Sequence, residues 1–205
     1  MEFVIPKLET RQMRLILASA SPRRAEILRD AGIAFEAVAT EVDEARRNAE
    51  PVTALVRRLA EAKARAAAAR VSGEAIVIGA DTEVVVDGSV LGKPADAADS
   101  RRMLKLLSGQ THEVITGLAL LRLPDGELRV EHEITQVTFA PLNEQEIDAY
   151  IACGEPFGKA GAYGIQGRGG RFVTRVGGCY FNVVGLPLAR LYRLLRELKW
   201  KDMHL

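Results

Sequence analysis

An excess of either charge is missing from this chain of 205 residues, because 28 lysines and arginines stand against 27 aspartates and glutamates. The net charge of +1 argues against the broad positive field that suits nucleic acids or anionic membranes. Aromatic residues make up only 5%, which disfavours the stacking surfaces of single-stranded nucleic-acid binders. We therefore expect no nucleic-acid partner and no membrane partner, and any positive patch to be local.

Long apolar runs and paired cysteines are also missing. No stretch reaches the ~18 apolar residues of a membrane-spanning helix, and residues 1–14 hold no apolar segment of the secretion-signal type. Cys153 and Cys179 lack the CxxC spacing of zinc or redox sites, so we expect free thiols. These absences predict a soluble, cytoplasmic protein. Its 48% of hydrophobic residues can bury one sizeable core, in one domain or in two lobes that share a sheet.

The most informative segment runs from Ser19 to Arg24 and places two arginines at the start of a helix. The apolar residues 15–18 predict a buried strand before it, and residues 25–31 predict a helix that ends at Gly32. Ser21 is a preferred N-cap, and proline suits the next position. A helix N-terminus disfavours each cation by ~0.3–1 kcal/mol, so an anion would complete the site. The segment predicts a polyphosphate pocket formed by Ser19, Ser21, Arg23 and Arg24; the alternative is two solvated arginines.

A carboxylate follows the most apolar segment of the chain. Residues 75–80 predict an interior strand that delivers Asp81 and Thr82 at or near its carboxyl end. Burying a lone charge costs several kcal/mol, so Asp81 needs a metal, a cation or a water-filled cleft, unless it caps a turn. Lys63 falls near the buried stripe of a predicted helix from Pro51 to Ala69, where its ammonium either snorkels to solvent or points into a polar cleft.

Six glycines lie within residues 158–170. Such a segment lets the backbone approach a ligand and present amides to an anion, although a plain surface loop has the same composition. Gln166 is the polar member of interest, because an amide can donate and accept side by side and so match the imide edge of uracil or thymine. His112 and His132 have no companions at metal-ligand spacing and are assigned no metal role.

The remaining pattern alternates strands and helices and predicts an α/β protein. Residues 113–123 and 127–139 predict a long hairpin. Further predicted strands cover residues 35–39, 172–176 and 180–184, and further helices cover residues 97–107, 142–152 and 187–198.

Six motifs, taken in order, resemble the Maf family of nucleoside triphosphate pyrophosphatases. They are SerAlaSerProArgArg, GlyAlaAspThr, GlyLysPro, SerGlyGlnThrHis, LysAlaGlyAlaTyrGlyIleGlnGly and ValGlyLeuPro. The resemblance covers about residues 14–198 and leaves 1–13 as an N-terminal extension of a single domain over 1–205. GlyIleGlnGly is similar to the branch that hydrolyses dTTP and UTP to the monophosphate and pyrophosphate. Gly158 departs from the family, since many members have aspartate at this position.

The resemblance implies roles for individual residues. Asp81 would be the catalytic base, and Arg23, Thr82 and Gln166 would set substrate specificity. Glu44, Arg24, Lys63 and Lys93 match polar positions of the family's pocket; Glu44 and Asp81 would hold a divalent cation, Mg2+ or else Mn2+, while the lysines and arginines neutralise the triphosphate. The implied fold is a mixed α/β sheet in two lobes with a central cleft, as in inosine triphosphate pyrophosphatases, and the implied assembly is a homodimer. An alternative function is a nucleotide-binding regulator of cell division, acting in septum inhibition.

Overall fold

A mixed sheet of seven strands organises this protein, whose computed structural model describes residues 13–201. The strands are β1 (Arg14–Ala18), β2 (Glu36–Ala37), β3 (Ala75–Val86), β4 (Ser89–Leu91), β5 (Thr111–Leu123), β6 (Leu128–Phe139) and β7 (Val173–Gly177). The α-helices are α1 (Pro22–Asp30), α2 (Val52–Ala68), α3 (Ala97–Leu107), α4 (Glu144–Ala152), α5 (Tyr180–Val184) and α6 (Leu188–Glu197). Two short 3-10 helices, Ala160–Ala162 and Arg168–Phe172, lie in the glycine-rich segment.

The strand order is β2-β1-β3-β5-β6-β7, with β4 paired to β3 off this path. β1 is parallel to β2 and β3, whereas β3, β5, β6 and β7 are antiparallel to their neighbours along the sheet. β3 and β5 form a long ladder, from Ala75 opposite Leu123 to Val85 opposite Glu113. The predicted mixed α/β class and the predicted hairpin of β5 and β6 are confirmed.

The long strand β3 runs through two lobes. In its first half, Ile76 and Ile78 pack with buried residues of α1 and α6, while Val77 packs on the opposite face against α2. In its second half, Val84 and Val86 pack with α3, α4 and the glycine-rich segment. The separate clusters leave a cleft at the middle of the strand. Within residues 13–201, no helix is long and apolar enough to cross a membrane.

Two strand predictions need correction. Residues 180–184 form helix α5, although their aromatic and β-branched side chains favour a strand. The buried Asn182 explains the difference, because its side-chain amide donates to Val114 O at 2.9 Å and to Thr135 Oγ1 at 3.0 Å, contacts made only in the folded chain. The strand predicted over residues 35–39 is reduced to Glu36–Ala37, because only these two residues pair with β1.

Helix α2 lies against the sheet at two glycines. A Cβ atom on Gly117 would lie 2.0 Å from Val56 O, and one on Gly79 would lie 2.0 Å from Ala60 O. Both obstacles are helix backbone, which cannot turn aside as a side chain can. The two glycines therefore set the distance between α2 and the strands that carry the cleft.

We expect Gly117→Ala to lower the free energy of unfolding by about 3 kcal/mol or more, the upper end of overpacking costs, because the new methyl group must displace α2. Gly177→Ala is the matched control, since its Cβ would lie 3.8 Å from Gln136 Cβ, an ordinary contact. Urea unfolding of both variants measures the difference. Equal stabilities would show that the helix does not need this close approach.

Candidate active site

A gap in the sheet forms the floor of the cleft. β5 pairs with one edge of β3, and β1 and β4 both pair with the other edge. On that edge, β1 pairs with β3 as far as Gly79, and the pairing with β4 starts at Val84. Residues 80–83 thus have no strand neighbour on that edge. Asp81 therefore lies in the middle of β3, and the prediction that it ends a strand is corrected; it lies just past the carboxyl end of β1 instead.

Two carboxylates and a buried lysine meet in this gap. Lys63 Nζ lies 2.6 Å from Asp81 Oδ1 and 2.6 Å from Glu44 Oε1. Lys93 Nζ lies 3.6 Å from the other oxygen of Glu44. Lys63 is buried, so of its two predicted orientations the structure has the one that points into a polar cleft. Its ammonium neutralises part of the negative charge that the strand and the loop before α2 bring together.

Glu83 adds a third carboxyl group, which the sequence analysis missed. Burial, with the negative charges of Asp81 and Glu44, raises the pKa of Glu83 to about 7. Strand alternation was the available signal, since residues 81 and 83 share one face of β3. Asp81 Oδ2 and Glu83 Oε2 are both buried without a hydrogen-bond partner among the described residues.

These oxygens fit a hard divalent cation. Carboxylates are the ligands that Mg2+ takes in proteins, and this ion is commonly bound by one or two of them, with waters and substrate phosphates supplying the rest. Residues 13–201 hold no group of three or more His, Cys, Asp and Glu side chains arranged to complete a metal site. The unpartnered oxygen of Asp81 is therefore suited to an ion that the nucleotide helps to hold.

The arginine pair at the start of α1 forms the opposite side of the cleft. Arg24 Nε donates to Gly185 O at 2.8 Å, Nη1 to Ser19 Oγ at 3.2 Å and Nη2 to Thr82 Oγ1 at 3.0 Å. All three acceptors are neutral. Arg23 makes no hydrogen bond to a described residue, and neither arginine forms an ion pair within residues 13–201. Burial lowers the pKa of both guanidinium groups.

The predicted helix start at Pro22 and the predicted N-cap position of Ser21 are both confirmed. Ser21 occupies the N-cap position without a side-chain cap hydrogen bond. Its backbone amide instead donates to Ser19 Oγ at 3.1 Å, which turns the chain at the end of β1. The N-terminal amides of α1 are therefore not covered by the Ser21 hydroxyl. An anion bound there would complete a site that holds two uncompensated guanidinium groups.

The cleft encloses a cavity of about 390 Å³. Every site residue predicted from the sequence lines it, namely Ser19, Ser21, Arg23, Arg24, Glu44, Lys63, Asp81, Thr82, Lys93 and Gln166. Gly158 and the missed Lys159 line it as well. A cationic side and an acidic side thus meet in one cavity, as a triphosphate with a metal ion would require.

This chain is similar to known proteins along most of its length. The family model described as Maf-like protein matches residues 14–198. The chain belongs to the Maf family. A dTTP/UTP pyrophosphatase of Symbiobacterium thermophilum is 55% identical over 184 residues, which cover 90% of this chain and 93% of that one. A dTTP/UTP pyrophosphatase of Koribacter versatilis is 54% identical over 185 residues, covering 90% and 94%.

A solved structure of a nucleoside-triphosphatase / dITP/XTP pyrophosphatase from Mycobacterium abscessus matches 69% of this chain and 95% of its own. The sequence identity is 20% and the TM-score is 0.40. The fold class of this Maf-family chain rests on its strand pairing.

Proposed function

We propose that this Maf-family protein hydrolyses dTTP and UTP between the α- and β-phosphates and releases the nucleoside monophosphate and pyrophosphate. The observation that carries the proposal is the cavity in which two arginines that form no ion pair among the described residues face the carboxylates of Asp81 and Glu44. The names of the relatives supply the nucleotides. They are names of enzymes, so a regulator of cell division without hydrolysis is not favoured.

The triphosphate would bind between the two sides of the cavity. Arg23 and Arg24 would contact the phosphates with charge-assisted hydrogen bonds, together with the hydroxyls of Ser19 and Ser21 and the free backbone amides of the first turn of α1. Lys63 and Lys93 would neutralise charge from the other side. Arg24 is already held by three neutral acceptors, so little conformational entropy is lost when an anion binds to it.

Asp81 would act as the base for the attacking water. Its Oδ2 is buried and free of protein hydrogen bonds among the described residues, while Lys63 fixes Oδ1. Oδ2 is therefore open to the attacking water, or to the cation that holds this water, without first breaking a contact at that oxygen. Glu44 and Asp81 would hold the divalent cation, for which we propose Mg2+. A cation there supplies Lewis-acid stabilisation of the charge that develops on the phosphates.

Gln166 would read the base at the open end of the cavity, where its side chain is exposed. Thr82 would contribute through Arg24, because its hydroxyl accepts from that guanidinium and also lies 3.0 Å from Thr116 Oγ1. The single domain over 1–205, the homodimer and the cytoplasmic location stay predictions of the sequence and of the family resemblance.

Incubation of the purified protein and Mg2+ with dTTP, UTP, CTP and GTP tests the activity. Product analysis by phosphorus NMR should find a monophosphate and pyrophosphate, formed fastest from dTTP and UTP. Orthophosphate with a nucleoside diphosphate would overturn the position of cleavage. Tight binding without turnover would overturn the enzymatic proposal.

Gln166→Glu should change which base is accepted. The substitution removes the amide donor and sets a negative charge near the base carbonyl oxygens, which should cost UTP and dTTP ~1–3 kcal/mol each in kcat/KM, roughly 5- to 150-fold. GTP should lose less, since it presents another edge. Gln145→Glu, on the exposed surface of α4 outside the cavity, is the matched control for added charge. A uniform loss over all nucleotides would mean that Gln166 shapes the loop and does not read the base.

A further inference from the structure

Glu155 lies behind the glycine-rich segment and has no role in the chemistry described above. Its side chain is partly buried and accepts three hydrogen bonds. Arg168 N donates to Oε2 at 2.8 Å, and Gly169 N donates to Oε1 at 3.1 Å. The hydroxyl of Tyr150 donates to Oε1 at 2.9 Å. The carboxylate thus holds residues 168 and 169 of the segment against the chain just after helix α4.

Tyr150 holds the middle of the same segment, at Gly164. Its hydroxyl oxygen accepts a hydrogen bond from Gly164 N at 3.1 Å. Burial raises the pKa of Tyr150, so the hydroxyl keeps its proton and donates to Glu155. Gln166 lies midway, two residues after Gly164 and two before Arg168. The residues on both sides of Gln166 are therefore hydrogen-bonded to the same pair, the hydroxyl of Tyr150 and the carboxylate of Glu155.

Gly167 and Gly169 lie so close to Glu155 and Tyr150 that a larger residue would meet these side chains. A Cβ atom on Gly167 would lie 2.5 Å from Glu155 Oε2, and one on Gly169 would lie 2.5 Å from Tyr150 Oη. The sequence predicted either amides presented to a bound anion or a plain surface loop. For the amides of Arg168 and Gly169, the anion is the protein's own carboxylate.

Glu155 also anchors a second group in the cavity. Lys159 Nζ donates to the backbone oxygen of Glu155, and the side chain of Lys159 lines the cavity. Burial and the nearby charge of Arg23 lower the pKa of Lys159. Glu155 therefore holds two features of the cavity, the ammonium of Lys159 near Arg23 and the turn that presents Gln166.

We propose that Glu155, acting with Tyr150, is a positioning residue that sets nucleotide selectivity by holding the turn of residues 164–169 and so the amide of Gln166. This inference rests on the proposed function, in which Gln166 reads the base. Glu155 itself does not line the cavity, and its effect on the substrate is indirect.

The test combines two conservative variants with two measurements. Glu155→Gln keeps the size and shape of the side chain but places an NH2 group where Tyr150, Arg168 and Gly169 all donate hydrogen bonds. Tyr150→Phe removes only the hydroxyl that joins Gly164 to Glu155. In both we expect hydrogen exchange in the turn of residues 164–169 to be about tenfold faster or more, because Tyr150→Phe removes the acceptor of Gly164 N and Glu155→Gln removes one of the two carboxylate oxygens that accept from Arg168 N and Gly169 N. We also expect the ratio of kcat/KM for UTP to that for CTP to fall by about tenfold, through a higher KM for UTP, with kcat for CTP within about threefold.

Glu146→Gln is the matched control, on the helix α4 that carries Tyr150. Glu146 accepts a backbone hydrogen bond from Asn143 at 2.9 Å and forms no hydrogen bond or salt bridge with residues 164–169, so exchange and selectivity should stay close to wild type. The double variant Tyr150→Phe/Glu155→Gln should lose no more selectivity than either single one, since the pair acts as a unit.

Three outcomes would overturn the proposal: faster exchange with an unchanged UTP to CTP ratio, an equal loss for both nucleotides, or unchanged exchange in both variants. If the wild type binds nucleotides without hydrolysing them, the proposed function fails and the ratio is measured from dissociation constants by calorimetry. A tenfold fall in that ratio would then support positioning by Glu155, and an unchanged ratio would refute it.

Discussion

Asp81→Asn should lower kcat for UTP by ~10^2- to 10^4-fold, the usual contribution of a positioned general base. Asparagine has nearly the same size, but it can neither accept the proton of the attacking water nor act as a charged ligand for a divalent cation. A larger loss would follow if cation binding also fails. The measurement is kcat and KM over a range of Mg2+ concentrations.

The fold should survive this substitution. Lys63 keeps its partner Glu44 at 2.6 Å, so no buried ammonium is left without a carboxylate. Asp87→Asn is the matched control, because it makes the same change in the exposed turn after β3, where asparagine tolerates the positive φ of 46°. Near-normal turnover of Asp81→Asn with an unchanged melting temperature would remove Asp81 from the mechanism.

Arg23→Ala should cost ~1.5–3 kcal/mol in kcat/KM, about 10- to 150-fold, because a charge-assisted contact to the triphosphate is lost. The guanidinium has no hydrogen-bonding partner among the described residues, so its removal leaves no buried acceptor unsatisfied. Relief of the unfavourable interaction with the helix dipole could even raise the melting temperature of the free protein slightly.

Arg29→Ala is the control on the same helix. Arg29 is exposed in the last turn of α1, with its guanidinium 6.0 Å from the Phe35 ring centroid, and it does not line the cavity. Its loss should leave kcat/KM close to wild type. Equal effects of the two substitutions would show that the triphosphate does not bind at the start of α1.

The sequence by itself determined those features that depend on neighbouring residues. Ser21 and Pro22 set the start of α1 through backbone geometry, and a run of apolar residues identified β3 as an interior strand. The residues predicted to form the site also lie in one cavity. Local pattern was sufficient for the two elements because each is encoded within a few positions of the chain, whereas most of the site residues were identified by the resemblance to the Maf family.

Only the tertiary structure decided how these pieces meet. The gap beside residues 80–83 exists because β1 and β4 pair with the same edge of β3 and stop short of each other. Glu83 lies near Asp81 and Glu44 in that gap. Glu155 accepts hydrogen bonds from the backbone amides of residues 168 and 169, which lie thirteen and fourteen positions further along the chain. Asn182 turns a strand-like sequence into a helix through contacts with β5 and β6. Each of these depends on residues distant in the chain, and neither propensity nor spacing carries information about a partner that only folding brings into contact.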